Sequence, residues 1–293
     1  LTSWASARPD AREARGPALA VTYPGDDPEL LVRMLPLVEV LEIPPDAIAA
    51  STGGNAYLRA SPLQEFERVK DRVRLVAHSV GLSIASFDSW NDGYFKLMDE
   101  LFACFELDWH SDHLGYTTVS GENLGIMLPA PRSKEALDLI CQRVDRIQDR
   151  YSAPFLLEHI IELLPEAPAD YSPAAFLNEI TRRTSCGLIL DAYNIDCDVR
   201  NNNFDVTGFF NELEFSAVHE LHLAGGVSHD GFQLDIHLGP VSDSTMATAL
   251  EILRRTPTLP VVTFEYLRET SALLGHDGIV GELERIRRII SNE

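Results

Sequence analysis

GLILDAYN (187–194), AVHELHLAGG (217–226) and LDIH (234–237) form the stretch from which the rest of the chain is read. GLILD is a short apolar run ending in a carboxylate, the form a buried parallel strand takes when its last residue faces a site. AVHELHLAGG has the same form, with His222 just before a glycine pair that frees the backbone to turn. Asp235 and His237 are two apart, so in extended chain both project from one face. Asp191, Asn194, His222, Asp235 and His237 all bind divalent metals through oxygen or imidazole nitrogen.

Outward from that stretch, strand-like and helix-like runs alternate. The strands read ALAVTY (18–23), VLEI (40–43), RLVAHSVGLSI (74–84), WHSDHLGY (109–116), FLLEH (155–159), GLILD (187–191), AVHELHLAG (217–225) and PVVTFEY (260–266). Helical runs at 27–38, 62–73, 91–106, 133–151, 172–184, 206–213, 242–256 and 267–290 separate and follow them. Ser133 and Ser172 are placed as N-caps. Eight strands with eight helices predict an α/β TIM barrel, one domain over residues 18–293. Residues 1–17 lack the apolar core of a signal peptide and predict a mobile tail or the remnant of an upstream segment.

At 293 residues and 45% hydrophobic content the chain can bury a large core. No apolar run approaches a membrane span, so a membrane is not expected as a partner. The net charge of −21 repels phosphate backbones and argues against nucleic acid. Cys104, Cys141, Cys186 and Cys197 have no CxxC spacing and read as reduced thiols of a cytoplasmic protein.

In the barrel frame the polar residues at strand ends fall into one class. His78, His113, Glu158, Asp191, Asn194, His222 and Glu265 end strands three to eight, and Asp235 and His237 follow strand seven. Singly, each has an ordinary reading as a hydrogen-bonded or solvated side chain. Together, four carboxylates at one mouth repel unless cations neutralise them, and a metal site is expected. Glu220 shares the parity of His222 and is placed as an orienter deeper in the barrel.

The ordered motifs His78, SDHL (111–114), LLEH (156–159), LILDAYN (188–194), NNNFD (201–205), ELHLAG (220–225), DIH (235–237) and Glu265 resemble the multinuclear non-heme iron-dependent oxidative enzymes. That family includes the catalytic subunits of methanobactin and 3-thiaglutamate biosynthesis. The resemblance spans roughly residues 18–266. It implies two or three iron ions of mixed Fe(II)/Fe(III) state at the barrel mouth, with dioxygen as co-substrate. It also implies oxidation of a residue, usually cysteine, in a ribosomally made precursor peptide, with a small thiol as the other substrate class. His78, His113 and Glu158 would hold one iron, and Asp191, His222 and Glu265 a second bridged by Glu158. Asn194, Asp235 and His237 would hold the third. Such enzymes often work with a separate leader-binding partner protein, and either such a partner or a substrate small enough to enter unaided is expected here. The chain departs from the family at His159, where Asn is usual, and at Gly226, where His is frequent.

A trinuclear metal-dependent hydrolase or isomerase, of the endonuclease IV and xylose isomerase type, is the competing reading. The endonucleases carry His where this chain has Asn194, and they need a basic surface. A metal-binding or partner-docking barrel without activity is a third reading, opposed by the intact ligand set.

Overall fold

The computed structural model describes residues 16–53, 55–88, 90–162 and 169–291, so most of the predicted N-terminal tail lies outside the described residues. In chain order the elements are β1 (Ala18–Thr22), α1 (Pro28–Met34), β2 (Val40–Ile43), α2 (Pro45–Ile48), β3 (Ala49–Thr52) and β4 (Asn55–Leu58). Next come α3 (Ala60–Val69), β5 (Arg74–Ser79), α4 (Asp92–Cys104), β6 (His110–His113), β7 (Gly115–Val119), β8 (Glu122–Pro129) and α5 (Lys134–Arg150). They are followed by β9 (Phe155–Glu158), α6 (Pro173–Thr184), β10 (Gly187–Asp191), α7 (Ala192–Asn202) and α8 (Val206–Glu212). The chain continues through β11 (Val218–Leu223), β12 (Val227–His229), β13 (Phe232–Leu234), α9 (Asp243–Arg255), β14 (Val261–Phe264) and α10 (Arg268–Ile290).

Eight strands close a parallel barrel in the order β1-β14-β11-β10-β9-β6-β5-β2. The expected TIM architecture is therefore observed, as a single domain. Two sets of apolar side chains hold it. Outward-facing residues such as Leu19, Leu41, Phe155, Leu190 and Leu223 join the helices in one large core. Inside the barrel Ala20, Val40, Val76, Trp109, Leu156, Ile189 and Val261 fill the lower layer.

The inward positions change character one step along each strand. Two residues beyond that apolar layer stand Thr22, Glu42, His78, Ser111, Glu158, Asp191 and Thr263. Because strand side chains alternate with period two, these share the inward face and form a polar layer at the C-terminal mouth. Glu220 and His222 on β11 belong to the same face.

Three departures from the expected elements shape the mouth. The strand at 74–84 stops at Ser79, and two-stranded hairpins β3-β4, β7-β8 and β12-β13 rise from the ends of β2, β6 and β11. Asn194 does not end its strand, which stops at Asp191, but lies in the first turn of α7, which Asp191 caps. His237 has φ +44°, so Asp235 and His237 do not project from a continuous extended segment.

The loop that carries those two residues is tied down from α7. Asn201 and the Gln233 backbone exchange hydrogen bonds of 2.8 and 2.9 Å. Tyr193 donates its hydroxyl hydrogen to the Leu234 carbonyl at 2.6 Å and accepts from the Gln233 amide at 2.8 Å. A Cβ on Gly226 would lie 1.7 Å from that hydroxyl, so the absence of a side chain at 226 is what lets Tyr193 enter. NNNFD thus serves structure: Asn201 pins the hairpin, Asn203 ends α7 in the left-handed conformation, and Asp205 caps α8. Gly226→Ala is expected to expel Tyr193 and cost about 1–3 kcal/mol, the usual penalty of overpacking. A urea titration with limited proteolysis should show a lower midpoint and faster cleavage between 226 and 234. An unchanged midpoint would contradict this interlock.

Candidate metal centre

The site begins with Glu158 at the end of β9, fully buried inside the barrel. Its two oxygens face different neighbours. Oε2 lies 2.8 Å from His78 Nε2 and 3.2 Å from His113 Nε2. Oε1 lies 3.7 Å from His222 Nδ1. Register explains the approach, since His113 pairs across the sheet with Glu158 and His78 with Ser111.

The far side of each imidazole is fixed. Ser111 donates its hydroxyl hydrogen to the Ala77 carbonyl at 3.1 Å, so its oxygen accepts from His78 Nδ1–H at 2.9 Å. His113 Nδ1–H donates to the Ser79 carbonyl at 3.0 Å. Asp46 steadies that strand end by accepting from Ser79 Oγ at 2.6 Å and from the Val80 amide at 2.9 Å. With Nδ1 tied to these acceptors, Nε2 of both rings points at the centre and is the atom free to bind a metal, as second-shell partners arrange for metal ligands.

A second group forms where β11 and β14 end. His222 Nδ1 is 2.8 Å from Glu265 Oε2, which also lies 3.3 Å from His237 Nδ1. A third group adjoins it. His237 Nε2 is 2.9 Å from Asp235 Oδ1 and 3.6 Å from Asp191 Oδ2. Asp191 divides its two oxygens: Oδ1 accepts the Tyr193 and Asn194 amides at 2.5 and 2.9 Å, and Oδ2 is left for the centre. The Asn194 amide sits 3.2–3.3 Å from both Asp235 oxygens with its own oxygen toward them. Three oxygens with no hydrogen between them are mutually repulsive unless the amide turns or a cation lies among them.

All nine residues expected from the sequence are thus brought to one mouth. Several of them also carry atoms that a cation site would use. Glu158 Oε1 and Oε2, His78 Nε2, His237 Nε2 and Asp191 Oδ2 are all buried without a hydrogen-bond partner. The 2.8 Å His78–Glu158 contact is too poorly directed to count as one. Orphaned buried polar atoms are rare and costly, and five in one cavity fit a site completed by metal.

Electrostatics agree. Burial opposes a charge on His78, but Glu158 outweighs it and holds the ring protonated up to about pH 9. His222 and His237 are likewise raised against burial, by Glu42 and Glu265 for the first and by Glu265 and Asp235 for the second. Burial opposes ionisation of Glu158, but His113, His78 and His222 bring it down to about 2. Without metal, protons take the place of cations. Sequence reasoning missed Glu42, buried on β2 with Oε2 unpartnered. A single acid in the short apolar strand VLEI carries no local signal of it; its inward face follows from the barrel register.

The profile of a family described as "RiPP precursor modification enzyme MbnB/TglH/ChrH" matches residues 30–290. A UPF0276 protein of Anaeromyxobacter sp. (strain Fw109-5) is 30% identical over 215 residues, 73% of this chain and 76% of the relative. A UPF0276 protein of Caulobacter vibrioides (strain NA1000 / CB15N) is 30% identical over 212 residues, 72% and 73% of the two chains. Among solved structures, D-psicose 3-epimerase with D-tagatose from Clostridium cellulolyticum H10 superposes with TM-score 0.59 at 11% identity, covering 94% and 99%. Endonuclease IV from Thermus thermophilus gives TM-score 0.57 at 15% identity, covering 94% and 100%. Identities this low establish the shared barrel and nothing about the reaction.

The pKa directions give a pH prediction. His78 is raised from 6.5 to about 9, so its protonation stabilises the metal-free fold fully below pH 6.5 and is lost as pH rises through about 9. Cations must displace those protons, so loading with Zn(II) at pH 7.5 should release at least one proton per chain. Titration calorimetry in buffers of different ionisation enthalpy measures the number. Release should fade above about pH 9. No proton release at pH 7.5 would contradict the assigned protonation.

Proposed function

The chain belongs to the MbnB/TglH/ChrH family of RiPP precursor modification enzymes, and on that footing we propose that it is a multinuclear non-heme iron oxidase of a precursor peptide. It uses dioxygen to oxidise a residue, cysteine by preference, in natural-product biosynthesis. The observation that carries the reading is the division of Glu158, whose two oxygens face separate imidazole groups as a bridging carboxylate does.

His78, His113 and Glu158 would hold one iron. His222, Glu265 and Asp191 would hold a second, and Asn194, Asp235 and His237 a third. Iron bound there would supply the redox chemistry for oxidation of a substrate thiol by dioxygen. The residues of the chain do the rest. Ser111 and the Ser79 carbonyl orient His78 and His113. The Asp191 cap on α7 sets Asn194 against Asp235. A neutral amide binds more weakly than imidazole, so the Asn194 site is the most exchangeable and suits admission of substrate. The inward layer of Val40, Val76, Trp109, Leu156 and Ile189 closes the floor to water.

The rim favours a peptide over a phosphate backbone. Tyr57, Phe87, Val119, Ile126, Phe232 and Leu267 are exposed on the segments that follow the barrel strands, all on the mouth side. They offer apolar contacts to a precursor peptide and to a separate leader-binding protein, while the net charge of −21 repels nucleic acid. Four free cysteines and a centre that takes ferrous iron favour the cytoplasm. Among the described residues no helix is long and apolar enough to cross a membrane.

Protein loaded anaerobically with Fe(II) should hold two or three irons and consume oxygen only with a cysteine-containing peptide, whose mass changes. Glu158→Ala should lose more than one iron, and Asn194→Ala one iron with two retained. Full iron content in Glu158→Ala would overturn the bridging assignment. Nicking of abasic DNA or epimerisation of a ketohexose, without oxygen uptake, would overturn the oxidase reading in favour of the hydrolase or isomerase.

A further inference from the structure

Beneath the nine mouth residues the barrel holds a second polar group. Glu42 on β2 and Glu220 on β11 are fully buried, and both approach the lower edge of His222. Glu42 Oε2 and Glu220 Oε1 each lie 3.4 Å from His222 Nε2. The carboxylates are themselves held in place. Thr22 donates its hydroxyl hydrogen to Glu42 Oε1 at 2.6 Å, and Trp109 donates Nε1–H to Glu220 Oε2 at 2.8 Å. Thr263 donates its hydroxyl hydrogen to Glu220 Oε1. Glu42 Oε2 and His222 Nε2 are the atoms left without a partner, and they face each other.

A ring nitrogen between two buried carboxylate oxygens must carry a hydrogen. A lone pair there would meet two acceptors in a region of low dielectric with nothing to offset the repulsion. The opposite nitrogen, Nδ1, points up to Glu265 and Glu158. This reverses the orientation of the neighbouring rings, since His78 and His113 turn Nε2 to the centre and Nδ1 to a serine hydroxyl or a carbonyl. We propose that Glu42 and Glu220 act as a pair of positioning residues that hold the Nε2–H of His222 between them, making Nδ1 its metal-binding atom and placing negative charge behind that ligand. The proposal rests on the metal-centre reading above. Two carboxylates behind one ligand make its ring more electron-rich, so the ion that it holds is harder to reduce than one backed by neutral partners.

The test uses full-length protein labelled with ¹⁵N at histidine and loaded with Zn(II), which is diamagnetic. Proton–nitrogen correlation spectra, assigned with His222→Gln, should show a slowly exchanging Nε2–H on His222 and a metal-shifted Nδ1. Glu42→Gln and Glu220→Gln should each move that Nε2–H upfield and leave the His78 and His113 resonances in place. After iron loading, each variant should have a more positive reduction potential than wild type by spectroelectrochemistry. A metal-shifted Nε2 on His222, an Nε2–H unmoved in both variants, or no uptake of Zn(II) would overturn the proposal. So would an ion found between Glu42 and Glu220. The zinc spectra need neither iron nor turnover, so absence of oxygen uptake beside the expected Nε2–H would sink the functional reading alone.

Discussion

The structure turns on five carboxylates gathered inside one barrel mouth: Glu42, Glu158, Asp191 and Glu220 are fully buried, and Glu265 nearly so. Withdrawing such charges from water costs several kcal/mol each unless opposite charge lies close by. Three buried histidines and the partly buried His113 stand among them, and protons can balance only part of that charge. The rest of the architecture holds this unfavourable assembly in place. The barrel fixes which strand ends are neighbours, the inward parity fixes which side chains meet, and the apolar layer below denies them water.

Each support is local and specific. A serine hydroxyl, a backbone carbonyl or a carboxylate pair sets every imidazole that faces the centre from a barrel strand. The start of α7 settles Asp191, because one oxygen caps the helix and the other is thereby aimed inward. Tyr193, locked against Gly226, ties the loop bearing Asp235 and His237 to that same helix. The third group therefore depends on α7 twice, through Asn194 and through Tyr193. The two departures from the family pattern differ in kind. Gly226 makes room for Tyr193, whereas His159 turns away from the centre to stack on Phe209 with Nδ1 unpartnered.

The barrel and the nine mouth residues were legible because strand periodicity and strand-end polarity are local signals. RLVAH and GLILD show burial and a terminal ligand type within six residues. The helix α7 was not legible: its sequence AYNIDCDVRNN buries Asn194, Asp196 and Asp198 beside apolar residues, so no clean 3.6-residue stripe survives. The hairpins escaped for a similar reason, since their strands carry no clean alternation of buried and exposed residues, as in β8, which runs exposed from Glu122 to Ile126 after a turn at Ser120 and Gly121 with positive φ. Glu42 was hidden by its setting, because a single acid in a four-residue apolar strand gives no sign of inward burial until the barrel register is known. The left-handed His237 is a tertiary outcome, held by Thr270 of α10 donating to its carbonyl at 2.6 Å.

The central claim is that Glu158 bridges two cations, and anomalous scattering at the iron edge from crystals of the iron-loaded protein tests it most directly. The account predicts two peaks flanking the Glu158 carboxylate, about 3.5–4 Å apart as in other carboxylate-bridged pairs, with a weaker third beside Asn194 and Asp235. A single peak, or none within reach of Glu158 in a fully ordered mouth, would contradict it.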